Sequence, residues 1–121
     1  MVELKMQGPY ELNDDTVQEQ VESEQPGNYA LGYLNEEDSF ILCYVGRSDD
    51  DLRQKLLNWV GGIARYTHFE YSVAESSEQA FIKECHNYHD YGGSDNLYNS
   101  NHPYRKDKTD WTCPRCSFYG R

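Results

Sequence analysis

Alternation of apolar and polar positions predicts three β-strands in the middle of the chain. Aromatic and aliphatic residues dominate 28–34 and 39–47, and the polar turn between them is typical of an antiparallel hairpin. A third strand is predicted over 68–74, where every second residue is large and apolar. The pattern therefore indicates one small three-stranded antiparallel sheet.

Two further segments carry apolar residues at helical spacing. The first helix is predicted over about 50–60, with Ser48 as its N-cap and acidic residues where the helix dipole favours them. The second begins at Ser76, which can form a capping box with Gln79, and ends near residue 89. The order β-β-α-β-α predicts an α+β domain in which helices flank the sheet.

Residues 1–26 differ from the rest of the chain. They show no sustained hydrophobic period, and they carry seven acidic side chains against one lysine. We expect an acidic, flexible N-terminal arm with a short helical turn at 15–22, followed by a single domain over 27–121.

Composition limits the class of protein. Aromatic residues make up 14% of the 121 residues, whereas disordered chains are poor in aromatics, so most of the chain should fold. No apolar run approaches the roughly 20 residues of a membrane span, and no leader pattern is visible. We therefore expect a cytoplasmic protein with reduced thiols and no membrane contact.

The net charge of −10 argues against general nucleic-acid binding, because phosphate contacts supply most of that affinity. Residues 1–26 have a net charge of −6, so the remaining chain is only mildly acidic. Charge alone leaves binding to DNA open.

Four residues have the types and spacing of a zinc site. Cys113 and Cys116 form a Cys-x-x-Cys pair, and Cys85 and His89 stand four residues apart on the second predicted helix, on one face. Together they would supply four ligands and clip the irregular C-terminal tail to that helix. A site that uses four protein ligands is structural rather than catalytic.

The ligand set has alternatives. His86 or His102 could replace His89, so the predicted zinc-binding region spans about 85–116. Alternatively, Cys85 is a core thiol and the Cys-x-x-Cys pair is redox-active or idle.

An ordered set of short motifs resembles the GIY-YIG nuclease family, the catalytic domain of excision-repair and homing endonucleases. Gly27-Asn28-Tyr29 and Tyr44-Val45-Gly46 resemble its paired motif, and Arg47-Ser48 and the Leu52-x-x-Lys55 helix start continue the match. Glu84 and Asn99 have later counterparts, so the resemblance covers about 27–103. It implies a metal-dependent endonuclease that hydrolyses DNA phosphodiester bonds.

The resemblance also implies roles for individual residues. Glu84 would hold one Mg²⁺ or Mn²⁺, a hard ion suited to carboxylate and water. Tyr44 would relay or accept the proton of the attacking water, and Tyr29 would orient water or phosphate. A free phenol has a pKa near 10, so adjacent cations would have to lower it. Arg47 and Lys55 would stabilise the transition state, and the predicted substrate-binding residues are Gly46, Arg53 and Asn99.

Two positions depart from the family pattern. Lys55 stands where the family has arginine, and a lysine point charge does not reproduce the bidentate guanidinium fork. Trp59 stands one turn later, where the family often has histidine or tyrosine. One alternative is therefore a catalytically weak or inactive relative that binds nucleic acid or a protein partner. A second is a zinc-ribbon-like interaction module whose tyrosines belong to the core.

Overall fold

A computed structural model describes residues 4–119. Four antiparallel strands form one sheet in the order β1-β4-β2-β3, and three α-helices and a short 3₁₀ turn complete the fold. The elements are β1 (Gln7–Glu11), α1 (Asp14–Gln20), β2 (Gly27–Leu34), β3 (Phe40–Ser48), α2 (Leu52–Trp59), β4 (His68–Val73), α3 (Ser77–Asp90) and the 3₁₀ turn (Gly93–Asp95). No helix in this part of the chain is long and apolar enough to cross a membrane.

The predicted α+β class is confirmed, and the three predicted strands and two predicted helices are present as β2, β3, β4, α2 and α3. Ser76 caps α3 as expected, since its Oγ accepts a hydrogen bond from the Gln79 amide at 3.1 Å. The N-cap of α2 is Asp51 rather than Ser48. Ser48 ends β3, and its Oγ accepts the Asp51 amide at 3.0 Å in the turn that precedes the helix.

The prediction of three strands is wrong, because the N-terminal segment supplies a fourth. β1 pairs with β4 and forms one edge of the sheet. The expected flexible arm is likewise wrong for residues 4–26, while residues 1–3 lie outside the described residues. Val17 and Val21, one helical turn apart, are buried in the core, and Asn13 caps α1 by accepting the Thr16 amide at 2.8 Å. These two valines anchor the helix in the core, although its other side chains are polar.

The helices cover both faces of the sheet. α1 and α2 pack on one face through a core that includes Val17, Tyr29, Leu31 and Leu56. α3 covers the opposite face through a smaller cluster that contains Ala30, Val45 and Tyr88. Successive residues of β2 therefore serve opposite cores, as the two-residue period of a strand requires.

The C-terminal tail packs against α3 without forming a helix or strand among its described residues. Its anchor is a third cluster, in which Phe81 and Cys85 of α3 meet Cys113 and Trp111. The Phe81 and Trp111 rings lie 5.5 Å apart between centroids. The tail therefore packs on α3, the same helix to which the predicted zinc site was expected to attach the tail.

Candidate active site and metal centre

A cleft of about 400 Å³ lies between β2, β3, α3, the start of α2 and the segment 98–104. Six of the predicted site residues line it: Tyr29, Tyr44, Gly46, Arg47, Lys55 and Glu84. They come from four different elements, so only the tertiary fold could bring them together. The cleft contains two cations, Arg47 and Lys55, and two carboxyl groups, Glu84 and Asp49. Its formal charges therefore nearly balance when both carboxyl groups are ionised.

Tyr29 forms the floor of the cleft and is only 1% exposed. It pairs with Gly46 across β2 and β3, and a Cβ atom at Gly46 would lie 2.4 Å from the Tyr29 hydroxyl oxygen. Glycine is therefore required there because the tyrosine ring occupies the space of a side chain. The Trp59 indole N–H donates a hydrogen bond to the Tyr29 hydroxyl at 2.9 Å. Trp59, noted from the sequence only as a departure from the family pattern, thus orients a site residue.

Tyr44 stacks beside Tyr29, with ring centroids 6.3 Å apart and planes 21° from parallel. The rings of Trp59 and Tyr66 also lie beside Tyr44, at centroid distances of 5.0 Å and 6.4 Å. Burial raises the pKa of Tyr44, and the negative charge of Glu84 raises it further. Burial, with the charge of Tyr44 next, also raises the pKa of Tyr29. The sequence-based expectation required cations to lower these values, so neither phenol of the protein alone is a base at neutral pH.

Arg47 bridges two carboxylates. Its Nη1 lies 2.7 Å from Glu84 Oε1, and its Nε lies 2.8 Å from Asp49 Oδ1. The guanidinium carbon also lies 5.1 Å from the Phe81 ring centroid and 5.9 Å from that of Trp111, so the tail helps to hold it. Arg47 is consequently fixed at the edge of the cleft.

Glu84 is a buried carboxylate on α3 that faces the cleft. Burial raises its pKa to about 7, and the charge of Arg47 limits the rise. With this pKa, the protonated and the ionised forms of Glu84 are both populated near neutral pH. A bound cation would favour the ionised state.

Two predicted substrate-binding residues do not line the cleft. Arg53 points to α1, where its Nε donates to the Val21 carbonyl at 2.6 Å and its Nη2 to the Gln18 carbonyl at 3.1 Å. It satisfies carbonyls at the C-terminal end of α1. The helical turn expected at 15–22 was assigned to a flexible arm, so nothing in the sequence suggested pairing it with Arg53.

Asn99 is buried and holds the backbone of β3. Its Oδ1 accepts the Val45 amide at 3.0 Å, and its Nδ2 donates to the Val45 carbonyl at 2.7 Å. The residue therefore fastens the segment 98–104, which forms one wall of the cleft, to the strand that carries Tyr44 and Arg47. Its contribution is to position that wall.

Several cleft residues were not found from the sequence. They are Asp49 and the wall residues Tyr98, Ser100, Asn101, His102, Pro103 and Tyr104. His102 had been considered only as a zinc ligand. The segment 98–104 has no hydrophobic period, so no pattern in the sequence predicted that it packs beside β3. Its turn-rich composition around Asn99 indicated only that it is irregular.

Two histidines and two cysteines form a group that could hold a metal ion such as zinc. The ligand atoms of His89, His102, Cys113 and Cys116 all lie within 4.8 Å of one another. The two Nε2 atoms are 3.2 Å apart, and Cys116 Sγ is 3.3 Å from His102 Nε2. Ligands about 2.0–2.3 Å from a tetrahedral Zn²⁺ are separated by roughly 3.3–3.8 Å, so these two separations are close to those around the ion, and the other ligand atoms lie near enough to join them.

Neighbouring groups prepare these four residues for a metal. His102 Nδ1 lies 2.9 Å from the Pro103 carbonyl, a partner that holds the ring with Nε2 free to coordinate. The Arg115 amide donates to Cys113 Sγ at 3.4 Å, and the Phe118 amide to Cys116 Sγ at 3.5 Å. Burial, then the charge of His102, lowers the pKa of His89, which favours the neutral imidazole that a metal needs.

The predicted ligand set needs one correction. Cys85 is not part of the four-residue group, and His102 takes its place, while His89, Cys113 and Cys116 are retained. The Cys85 thiol is buried and hydrogen-bonded to Cys113, and burial followed by this bond raises its pKa. Cys85 therefore contacts the four-residue group through Cys113, from the side of α3.

The four possible metal ligands, His89, His102, Cys113 and Cys116, form a candidate metal-binding group. His102 belongs both to this group and to the wall of the cleft. With Asn99, it gives the segment 98–104 two attachment points, one on β3 and one at the metal-binding group. No family model, no curated protein and no solved structure matches this chain.

Proposed function

We propose that this chain is a metal-dependent endonuclease that hydrolyses DNA phosphodiester bonds with a GIY-YIG-type catalytic domain. The observation that carries the proposal is the convergence of Tyr29, Tyr44, Arg47, Lys55 and Glu84 in one cleft. Phosphodiester hydrolysis needs positive charge on the phosphate, a group that orients water and an oxygen ligand for a divalent cation, and this set offers a side chain for each.

The residues divide this chemistry between them. Arg47 and Lys55 bind the phosphate oxygens, and Glu84, with Asp49 close by, holds Mg²⁺ or Mn²⁺ through its carboxylate. A bound divalent cation supplies Lewis acidity and lowers the pKa of water. Because the cations and carboxylates of the cleft nearly balance, the added charge also makes the cleft attractive to DNA. Tyr44 keeps its proton and orients the attacking water by hydrogen bonding, and Tyr29 supports Tyr44 from below.

We further propose that the group of His89, His102, Cys113 and Cys116 binds structural zinc. Two imidazole nitrogens and two thiolates suit Zn²⁺, and all four positions are filled by protein. The ion would fasten the tail to α3 and, through His102, fix the wall of the cleft.

Two observations favour a second candidate, a catalytically weak domain that binds nucleic acid. Glu84 is already paired with Arg47 at 2.7 Å, so a metal must compete for that carboxylate. Lys55 supplies one point charge where the GIY-YIG family has a bidentate arginine.

A cleavage assay separates the two candidates. Purified chain is incubated with single-stranded, duplex and branched DNA with Mg²⁺ or Mn²⁺, and compared with Glu84→Ala and Lys55→Arg. Glu78→Ala, an exposed glutamate in the first turn of the same helix, is the matched control. Endonuclease function predicts metal-dependent cutting that Glu84→Ala abolishes and Glu78→Ala retains. Cutting that is acquired only with Lys55→Arg supports the weak domain, and cutting that survives Glu84→Ala contradicts the proposed site.

A further inference from the structure

Two exposed tyrosines stand at the mouth of the cleft. Among the described residues, the large hydrophobic side chains that are exposed are Ile63, Val73, Tyr98, Tyr104 and Phe118. Tyr98 is 50% exposed and Tyr104 is 64% exposed, and both line the cleft that holds Arg47 and Lys55. Aromatic rings beside phosphate-binding cations present flat apolar surfaces where a nucleotide base would lie.

Tyr98 is held in place although half of it is exposed. Its amide donates to the Cys43 carbonyl of β3 at 2.7 Å, and its ring lies 6.2 Å from that of Tyr66. The Arg65 guanidinium carbon lies 5.3 Å from the Tyr98 ring centroid. The ring is therefore positioned before any ligand arrives, which reduces the entropy that binding must overcome.

The backbone on both sides of Tyr104 is anchored as well. Pro103 is buried, and His102 before it belongs to the metal-binding group. Arg105 donates to the Trp111 carbonyl at 3.1 Å, and its guanidinium carbon lies 4.9 Å from the Tyr119 ring centroid. Tyr104 thus projects from a fixed segment rather than from a loose loop.

We propose that Tyr98 and Tyr104 form a stacking platform for unpaired bases, so that the substrate carries single-stranded nucleotides beside the scissile phosphate. This inference rests on the proposed endonuclease function and specifies its substrate. Bases inside a duplex already stack on one another, whereas an unpaired base can place its face on an aromatic ring. The net charge of −10 weakens attraction to phosphates in general, so stacking supplies affinity that charge does not.

Binding without cleavage tests the platform. The full chain, kept with zinc and without Mg²⁺, is titrated into fluorescent single-stranded DNA, a blunt duplex of the same sequence and a duplex with a single-stranded overhang. We expect the overhang and the single strand to bind more tightly than the blunt duplex. Replacing one ring, in Tyr98→Leu or Tyr104→Leu, should weaken binding to the single strand and the overhang by roughly 5- to 150-fold, the usual contribution of one stacked base.

Ring-preserving variants keep the test specific. Tyr98→Phe and Tyr104→Phe should retain affinity within about twofold, as should Val73→Ala, which changes an exposed side chain of β4 away from the cleft. A fluorescent base analogue, 2-aminopurine, in the unpaired segment should be quenched by the wild type and released from quenching by the leucine variants. Thermal unfolding of each variant checks that the fold is intact, and the highly exposed Tyr104 is the safer position.

The possible results of these experiments separate the stacking platform from the nuclease function. Equal binding of blunt and single-stranded DNA, or leucine variants with full affinity and quenching, would overturn the stacking platform while leaving nuclease function to the cleavage assay. A chain that binds none of the three DNA forms would overturn both proposals. Stacking that is observed without Mg²⁺-dependent cleavage would support the platform and contradict the endonuclease.

Discussion

Nη1 of Arg47 lies 2.7 Å from Oε1 of Glu84, and each side chain is only 10% exposed. This pair joins the end of β3 to the middle of α3, across the cleft that contains both tyrosines of the paired motif. A buried ion pair is held at a desolvation cost, so it is a weak source of stability and a strong determinant of geometry. Its behaviour can be measured apart from any activity.

Removing one member of this pair should cost more stability than removing both. Above pH 7, where Glu84 is ionised in the wild type, Arg47→Met leaves the carboxylate buried without its cation and should lower the free energy of unfolding by up to roughly 3–5 kcal/mol. Nearer neutral pH the loss should be smaller, because Glu84 takes up a proton instead. Adding Glu84→Gln removes the uncompensated charge and should restore part of this loss. Urea unfolding of the two single variants and the double variant gives the coupling free energy. Additive losses would show that the two side chains do not interact in solution.

The stability of the protein should fall as pH rises toward neutrality because of Glu84. Its pKa is raised from 4.5 to about 7 in the folded chain, so the folded state binds more protons between these values than the unfolded state does. Relative to Glu84→Gln, the wild type should lose at most about 3 kcal/mol between pH 4.5 and 7.

The measurement is the difference between the unfolding free energies of wild type and Glu84→Gln across this range. Titration of the metal-binding group affects both proteins and cancels in the difference. A difference that is independent of pH would mean that Glu84 has an ordinary pKa. Added Mg²⁺ should reduce the pH dependence, because a cation at Glu84 favours the ionised carboxylate.

Removing the metal should detach the tail and the cleft wall together. A zinc chelator should lower the melting temperature of the wild type, because the group His89, His102, Cys113 and Cys116 links α3, the cleft wall and the tail. Substitution with Co²⁺ reports the ligands directly, since tetrahedral thiolate sites give intense visible absorption bands.

The ligand set can be tested in the same spectra. His102→Ala should lose the tetrahedral spectrum, whereas Cys85→Ser and the control His86→Ala should keep it, because Cys85 and His86 lie outside the group. Loss of the spectrum in Cys85→Ser but not in His102→Ala would restore the ligand set that was predicted from the sequence.

Asn99 should affect the cleft only through position. Asn99→Ala removes two buried hydrogen bonds to Val45 and leaves both backbone groups unpaired, so it should destabilise the fold by about 1–3 kcal/mol. Hydrogen exchange should show faster exchange at the Val45 amide, with the rest of β2 and β3 less affected. An unchanged Val45 exchange rate would show that the Asn99 side chain does not hold the strand. Asn101→Ala, in the same segment but lining the cleft, is the control for stability.

Local patterns were enough to predict most secondary structure. The hairpin of β2 and β3, the alternation in β4 and the Ser76 cap are signals between residues close in sequence, and each was confirmed. β1 was missed because its signal is weak locally, and the helical turn expected at 15–22 was placed in a flexible arm although α1 (Asp14–Gln20) packs on the sheet. β1 becomes a strand by pairing with β4, and α1 is held by burial of Val17 and Val21 together with the hydrogen bonds of Asn13 and Arg53 at its two ends.

The sequence by itself determined which residue types were available to the site and, through the ordered motifs, that Tyr29, Tyr44, Arg47, Lys55 and Glu84 should be considered together. Only the tertiary structure decided that they share a cleft, that His102 replaces Cys85 in the group that could hold a metal, and that Arg53 and Asn99 bind the backbone. The physical reason is distance along the chain. Spacing within one helix or strand specifies which side chains share a face, but contacts between irregular segments depend on the packing of the whole core.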